Sequence, residues 1–371
     1  MQTIIPGEKD ADGANLQSLH SSKKEGMNIS PETSQRIKNM GLLCACLVVG
    51  IHVDWHPDSG SVGCFFHHVI RRGICLIAVP YFFIVSGFFL AKHFDEVNWW
   101  RTEVKKRLRT LVVPFYACTV LYILLTTPLA IVADHLAGRS FGTNLVWMHD
   151  WLWTLGLDFT KPTMTPLWYV RWLVVLVILS YLFKILVRRL RYVFLVGLAV
   201  LGLACECMPQ GLLYDVLTEG MYPNCGPALG TFYFSLGIFI QMERIKIRMP
   251  SWMSMINLVG VLLLVAGICC VDNDQLNRVL LLATVPVFLL WVYCNMPSVK
   301  VSNRITSLSF PIYLVHGPLI LYLGLIVKRL QIGKLPQSLV IYCGAVLGSI
   351  VLSLMLKKYT PKFASVVFGG R

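Results

Sequence analysis

The chain has 371 residues, of which 56% are hydrophobic and only 14% charged, and its mean hydropathy is +0.65. Soluble domains carry about 25% charged residues, so this composition excludes a soluble globular protein and indicates a polytopic membrane protein. The formal charge of +14 would suit nucleic acid, but basic residues beside apolar spans are ordinarily a topology signal, and no nucleic-acid partner is expected.

Residues 1–34 are expected to be a disordered cytoplasmic tail, since the first 29 or so are polar and hold no apolar core for a signal peptide. At its end Ser30 suits a helix N-cap and Pro31 the first helical position, which makes Met27 a second candidate start of translation. Ten apolar runs follow: 35–53, 73–91, 110–133, 166–187, 192–206, 228–242, 254–271, 279–296, 305–327 and 338–356. Most are near the roughly 20 residues that a spanning helix needs. The expectation is one transmembrane domain over 35–356, followed by a basic cytoplasmic tail over 357–371.

Charge sorts the connections. Counting Arg36, Lys38 and Lys184, at the edges of their runs, with the tail and connection they border, 24 of the 33 Lys and Arg fall in the two tails and every second connection, 8 fall in the others, and Arg171 lies well inside a run. That asymmetry requires an even number of spans with both termini on the cytoplasmic side. The expected fold is therefore all-α, a bundle of about ten transmembrane helices with N- and C-termini cytoplasmic.

On the outer side, Trp147, Trp151 and Trp153 suit a segment lying in the membrane interface, with stacking on a sugar the less common use. Most of the 12 cysteines sit inside apolar runs, where they act as small hydrophobes. Cys64 and Cys225 both fall in outer connections, and only their separation in space decides whether they pair.

Ionisable residues in or beside apolar spans are costly and therefore functional candidates. His52 ends the first run; it is either a general base, since imidazole titrates near neutral pH, or an interfacial histidine satisfied by water. His56 stands four residues on, but no thiolate or carboxylate completes a ligand set, and no metal site is expected. Arg171 either snorkels to the outer headgroups or binds an anion. His316, deep in its span, is expected to make an internal hydrogen bond. The run Lys105-Lys106-Arg107-Leu108-Arg109 suits anionic lipid headgroups and equally the phosphates of a nucleotide-bearing cofactor.

Five local patterns, in order, resemble the acyltransferase-3 family of integral membrane acyltransferases, over roughly 35–356. They are the first span ending in His52; the 79–90 stretch containing Pro80, Ser86 and Gly87; the basic run leading to Pro114; the 167–173 stretch containing Trp168 and Arg171; and the 312–318 stretch containing Tyr313 and His316. The resemblance implies a ten-helix bundle in a bacterial cytoplasmic (inner) membrane and a catalytic histidine at His52. It also implies acyl-coenzyme A, most simply acetyl-coenzyme A, as donor. The acceptor would be a hydroxyl of a cell-surface glycan or lipid-linked sugar. Lys106 and Arg109, with Arg107 between them, would hold the donor, Arg171 would stabilise negative charge or a donor phosphate, and Trp168, Ser86, Tyr313 and His316 would contact substrate or support the site. The sequence departs from many relatives in having Gly41 eleven residues before the histidine, where they have Arg, and Trp172 after Arg171, where they have Asp. A multi-span transporter or flippase is the competing expectation, since ten helices with buried His and Arg would serve it too.

Overall fold

The structure, a computed structural model, describes residues 29–56, 60–136, 150–160, 167–208, 211–218, 226–247, 252–260 and 274–370, together with 138, 140, 145 and 250. The tail before residue 29, with Met27, lies outside these residues. So do Trp147, Cys225 and most of the 254–271 run. Among the described residues the chain is all-helical and contains no strand.

The first helix, α1 (Pro31–His52), begins as its sequence dictates: the Ser30 hydroxyl accepts the Thr33 amide and Pro31 occupies the first turn. It is followed by α2 (Ala78–Ala91), α3 (Trp99–Leu136), α4 (Trp168–Ile178) and α5 (Ser180–Leu190). Next come α6 (Tyr192–Cys207), α7 (Pro227–Met242), α8 (Asp274–Asn295), α9 (Ser309–Val327), α10 (Lys334–Tyr359) and α11 (Pro361–Val367). The expected 166–187 span is α4 plus α5, broken at Leu179 with a bend of 67°. The basic run before Pro114 is no loose connection, because α3 already starts at Trp99.

Val62–Ala91, Trp99–Val132, Ser309–Leu330 and Lys334–Tyr359 are long and apolar enough to cross a membrane, and the bent α4–α5 pair makes a fifth span if counted as one. Tyr192–Cys205, Pro227–Met242 and Leu280–Asn295 are apolar but shorter. In α1 the apolar stretch begins only at Met40, after Arg36 and Lys38. Apolar rows on the outer surface, Val193, Val196 and Val200 on α6 and Leu347, Val351 and Met355 on α10, remain exposed. Such rows belong against lipid, and the chain is an integral membrane protein.

Two seams hold the bundle. In the main core, α2 lies directly on α7, with Gly87 facing the backbone of α7 and Gly237 facing that of α2. A Cβ on Gly87 would sit 2.1 Å from the Phe234 carbonyl oxygen, and one on Gly237 would sit 2.0 Å from that of Ile84. Apolar chains gain nothing from leaving lipid for another apolar surface, so close packing of this kind is what drives the helices together. In the other seam α1 is the hub. Met40, Cys44 and Val48, one turn apart, enter the main core, whereas Ala45 and Val49 close a second cluster with Leu308, Ile312 and Ala345.

The basic segments share one end. Lys38 reaches the Asn303 side chain, Lys357 the Ser307 hydroxyl, and Lys184 the Phe94 carbonyl. After α10 the chain turns into α11, and Phe368 is fully buried against this end. Gly369 follows with φ +64°, its Cα so close to α3 that a Cβ would lie 2.5 Å from the Thr110 carbonyl oxygen.

Candidate functional site around the end of the first helix

The opposite end of α1 is built to hold one residue. A helix C-terminus leaves carbonyls without intrahelical donors, and here side chains supply them. The Trp55 indole N–H donates to the Gly50 carbonyl at 2.9 Å, and Arg71 Nε donates to the Ile51 carbonyl at 2.9 Å. Trp55 is itself buried, stacked on Phe66 at 5.2 Å and close to the Tyr342 ring at 5.7 Å. Ser338, at the start of α10, donates to the Asp54 carbonyl. His52, the last residue of α1, is thus fixed by its neighbours while its own side chain stays exposed.

Behind it stands His316. Its ring centroid is 5.1 Å from that of His52, at an interplanar angle of 36°. It is 0% exposed, its Nδ1 lies 3.3 Å from the Ile312 carbonyl oxygen, and its Nε2 has no hydrogen-bond partner among the described residues. The internal hydrogen bond expected of this residue is therefore present on one nitrogen only. From His316 the rings continue inward, to Tyr313 at 6.1 Å and from there to Tyr169 at 5.9 Å. The Tyr169 hydroxyl donates to the Phe82 carbonyl at 3.1 Å, so its oxygen accepts from Ser86 Oγ at 3.0 Å. Four of the residues picked from sequence, His52, His316, Tyr313 and Ser86, are thereby placed along one line, with Tyr169 as the link.

The other picks lie elsewhere. Trp168 is buried and packs its ring on Phe83 at 6.4 Å. Arg171 projects from another side of α4 than Tyr169. Its Nη1 donates to the Asp158 carbonyl at 2.5 Å and approaches that of Gly156 at 3.4 Å, and its guanidinium lies 4.8 Å over the Phe159 ring. Trp172, where the family resemblance leads one to expect Asp, packs on the same ring at 5.5 Å. Gly41, where the family resemblance leads one to expect Arg, faces Ser309 and Tyr81, and a Cβ there would meet them only at ordinary contact distance.

The basic run carries an unexpected partner. Glu103 is 3% exposed and bonds Lys106 at 3.1 Å and Arg107 at 3.3 Å, with His93 at 3.8 Å. Lys106 and Arg109 are exposed on successive turns of α3, whereas Arg107 is half-buried. Glu103 was detectable in the sequence as the lone acid three and four residues before two cations, a spacing that faces them on a helix. Trp55 and Arg71 carried no comparable signal, because their partners are backbone carbonyls. Among the described residues no three His, Cys, Asp or Glu side chains gather as a metal ligand set. Cys64 is exposed, and its pairing with Cys225 falls outside the described residues.

The helical membrane bundle and the buried-and-exposed histidine pair define a class, an integral membrane protein with an ionisable site at one end of its core. The chain belongs to the acyltransferase-3 family, whose model, described as an acyltransferase domain, matches residues 37–356. It is similar to the succinoglycan biosynthesis protein ExoH of Rhizobium meliloti (strain 1021), with 26% identity over 227 residues, covering 58% of this chain and 56% of that protein. The chain thus spans little more than half the length of that curated relative. No solved structure matches it.

Proposed function

We propose that this protein transfers an acyl group, acetyl in the simplest case, from acyl-coenzyme A to a hydroxyl of a cell-surface glycan or lipid-linked sugar. The observation that carries this is the exposed His52 at the capped end of α1, in a chain of the acyltransferase-3 family. A polysaccharide acceptor is supported by the likeness to a succinoglycan biosynthesis protein. The full arrangement would be about ten spans in a bacterial inner membrane with both termini cytoplasmic, which places the basic end of the bundle inside, as the positive-inside rule expects.

In this scheme His52 takes the proton of the acceptor hydroxyl as its oxygen attacks the thioester carbonyl. The new C–O bond forms, the C–S bond breaks, and the proton passes to the departing coenzyme A thiol. Lys106 and Arg109, exposed on successive turns, hold the donor's phosphates, and Arg107 supports them through its shared bond to Glu103. Arg171 holds the 156–159 loop. His52 and the basic turn lie toward opposite membrane faces in this scheme, a separation of order ~30 Å, so either the donor threads into a channel in the bundle or its acyl group is handed across through a covalent intermediate.

The test is direct. Detergent-solubilised protein given acetyl-coenzyme A and an extracted surface glycan should release free thiol and leave an acetyl ester detectable by mass spectrometry. A transporter would do neither, and that result would sink the proposal. In the same assay Arg109→Ala should raise the donor KM by about tenfold, the effect of losing one charge-assisted hydrogen bond, with little change in kcat.

A further inference from the structure

We infer that His316 is a positioning residue for His52, fixing which of its two nitrogens acts as the base; this rests on the acyl-transfer function proposed above. The chemistry of His316 follows from its surroundings. Its Nδ1 faces the Ile312 carbonyl oxygen, which can only accept, so the hydrogen bond requires the proton on Nδ1. A neutral imidazole protonated there carries a bare lone pair on Nε2. That atom is buried and has no partner among the described residues, a costly state for a polar group away from water. Among the described residues, the ring in contact with it that has an N–H to give is that of His52, 5.1 Å away between centroids. Two imidazoles joined by an N–H···N bond of ordinary length have their centroids about 5 Å apart. Rotation of the exposed His52 ring to aim an N–H at that atom completes the bond.

The consequence for the reaction is specific. A donor bond to His316 places the His52 proton on the inner nitrogen and leaves the outer nitrogen as a lone pair toward the open side, where an acceptor hydroxyl arrives. When that outer nitrogen takes the hydroxyl proton, the inner N–H becomes charge-assisted and His316 Nε2 stabilises the imidazolium. His316 thus stands to His52 as the oriented third group stands to the histidine of a catalytic triad, with a neutral acceptor in place of a carboxylate. Sequence alone gave His316 an internal hydrogen bond, and the family resemblance set it among residues that contact substrate or support the site; the fully buried ring with one satisfied and one bare nitrogen is what makes that support specific to His52.

The test compares His316→Leu, which removes the acceptor, with His316→Gln, whose carbonyl oxygen can replace it. The expected result is a fall in kcat of about 10- to 100-fold for His316→Leu, the range seen when an orienting partner is lost, with both KM values within about twofold of the native ones, and substantial recovery in His316→Gln. Native kcat in folded His316→Leu, or equal losses in both variants, would overturn the inference. Nitrogen NMR of the native protein labelled at histidine gives a measurement independent of how the variants fold: His316 should be protonated at Nδ1 and bare at Nε2, and a proton on Nε2 refutes the assignment. If native protein transfers no acyl group, the proposed function fails. If native protein is active, His52→Ala is inactive and folded His316→Leu keeps its kcat, only the present inference fails.

Discussion

Gly237→Ala destabilises the folded bundle by about 3 kcal/mol, at the upper end of overpacking effects. The added carbon would sit 2.0 Å from the Ile84 carbonyl oxygen and 2.9 Å from the Phe88 amide nitrogen, both backbone atoms with no rotamer to yield. Relief comes only from moving α2 and α7 apart, which opens the packing around Phe83, Phe234 and Ile238, all fully buried. Small residues at such seams are what let membrane helices associate. Thermal unfolding in detergent, followed by tryptophan fluorescence, should show a marked drop in Tm and a smaller monodisperse fraction. Gly197→Ala is the control: a Cβ there meets nothing within 4 Å, and the gain in helix propensity should leave it neutral or slightly more stable, by up to about 1 kcal/mol. Equal melting of the two variants would refute the close seam.

His52→Ala lowers acyl transfer by about 10²- to 10⁴-fold, the range for losing a general base, and leaves the protein folded. The side chain is exposed, and the two bonds that fix this end of α1 run to the carbonyls of Gly50 and Ile51. The substitution therefore removes chemistry without removing support. Thiol release from acetyl-coenzyme A in the presence of acceptor is the readout, with Tm measured on the same sample. Transfer at the native rate by the variant would show that another group takes the proton.

These two residues also show how far the sequence could be read. Ser30 and Pro31 announced the start of α1 because capping is local chemistry, and Gly87 stood out within the 79–90 stretch because a missing side chain is visible in one dimension. The neighbour of Gly87 was not visible, since nothing in the 227–242 run says which helix it meets. The bend at Leu179 was hidden for a related reason: lipid-facing and buried faces are both apolar, so a span reads the same whether straight or broken. The His52–His316 contact joins opposite ends of the chain through tertiary packing alone, and the capping of Gly50 and Ile51 by Trp55 and Arg71 leaves no periodic trace. The basic run was read as a connection by its charge, although its Glu, Lys, Arg and Leu residues are good helix formers.

The seam between α2 and α7 has a bearing on how the protein is made. Gly87 and Gly237 lie about 150 residues apart, and at ribosomal rates of about 5–20 residues per second their meeting is delayed by roughly 8–30 s. Throughout that interval α2 waits in the bilayer with its tightest surface facing lipid or whatever segment reaches it first. Long-range pairing of this kind is slow and prone to wrong partners, and a bulky residue cannot enter a groove shaped for bare backbone. The two glycines therefore leave between α2 and α7 a groove that closes on bare backbone and excludes a bulky side chain at the contact, whenever in synthesis the two helices meet.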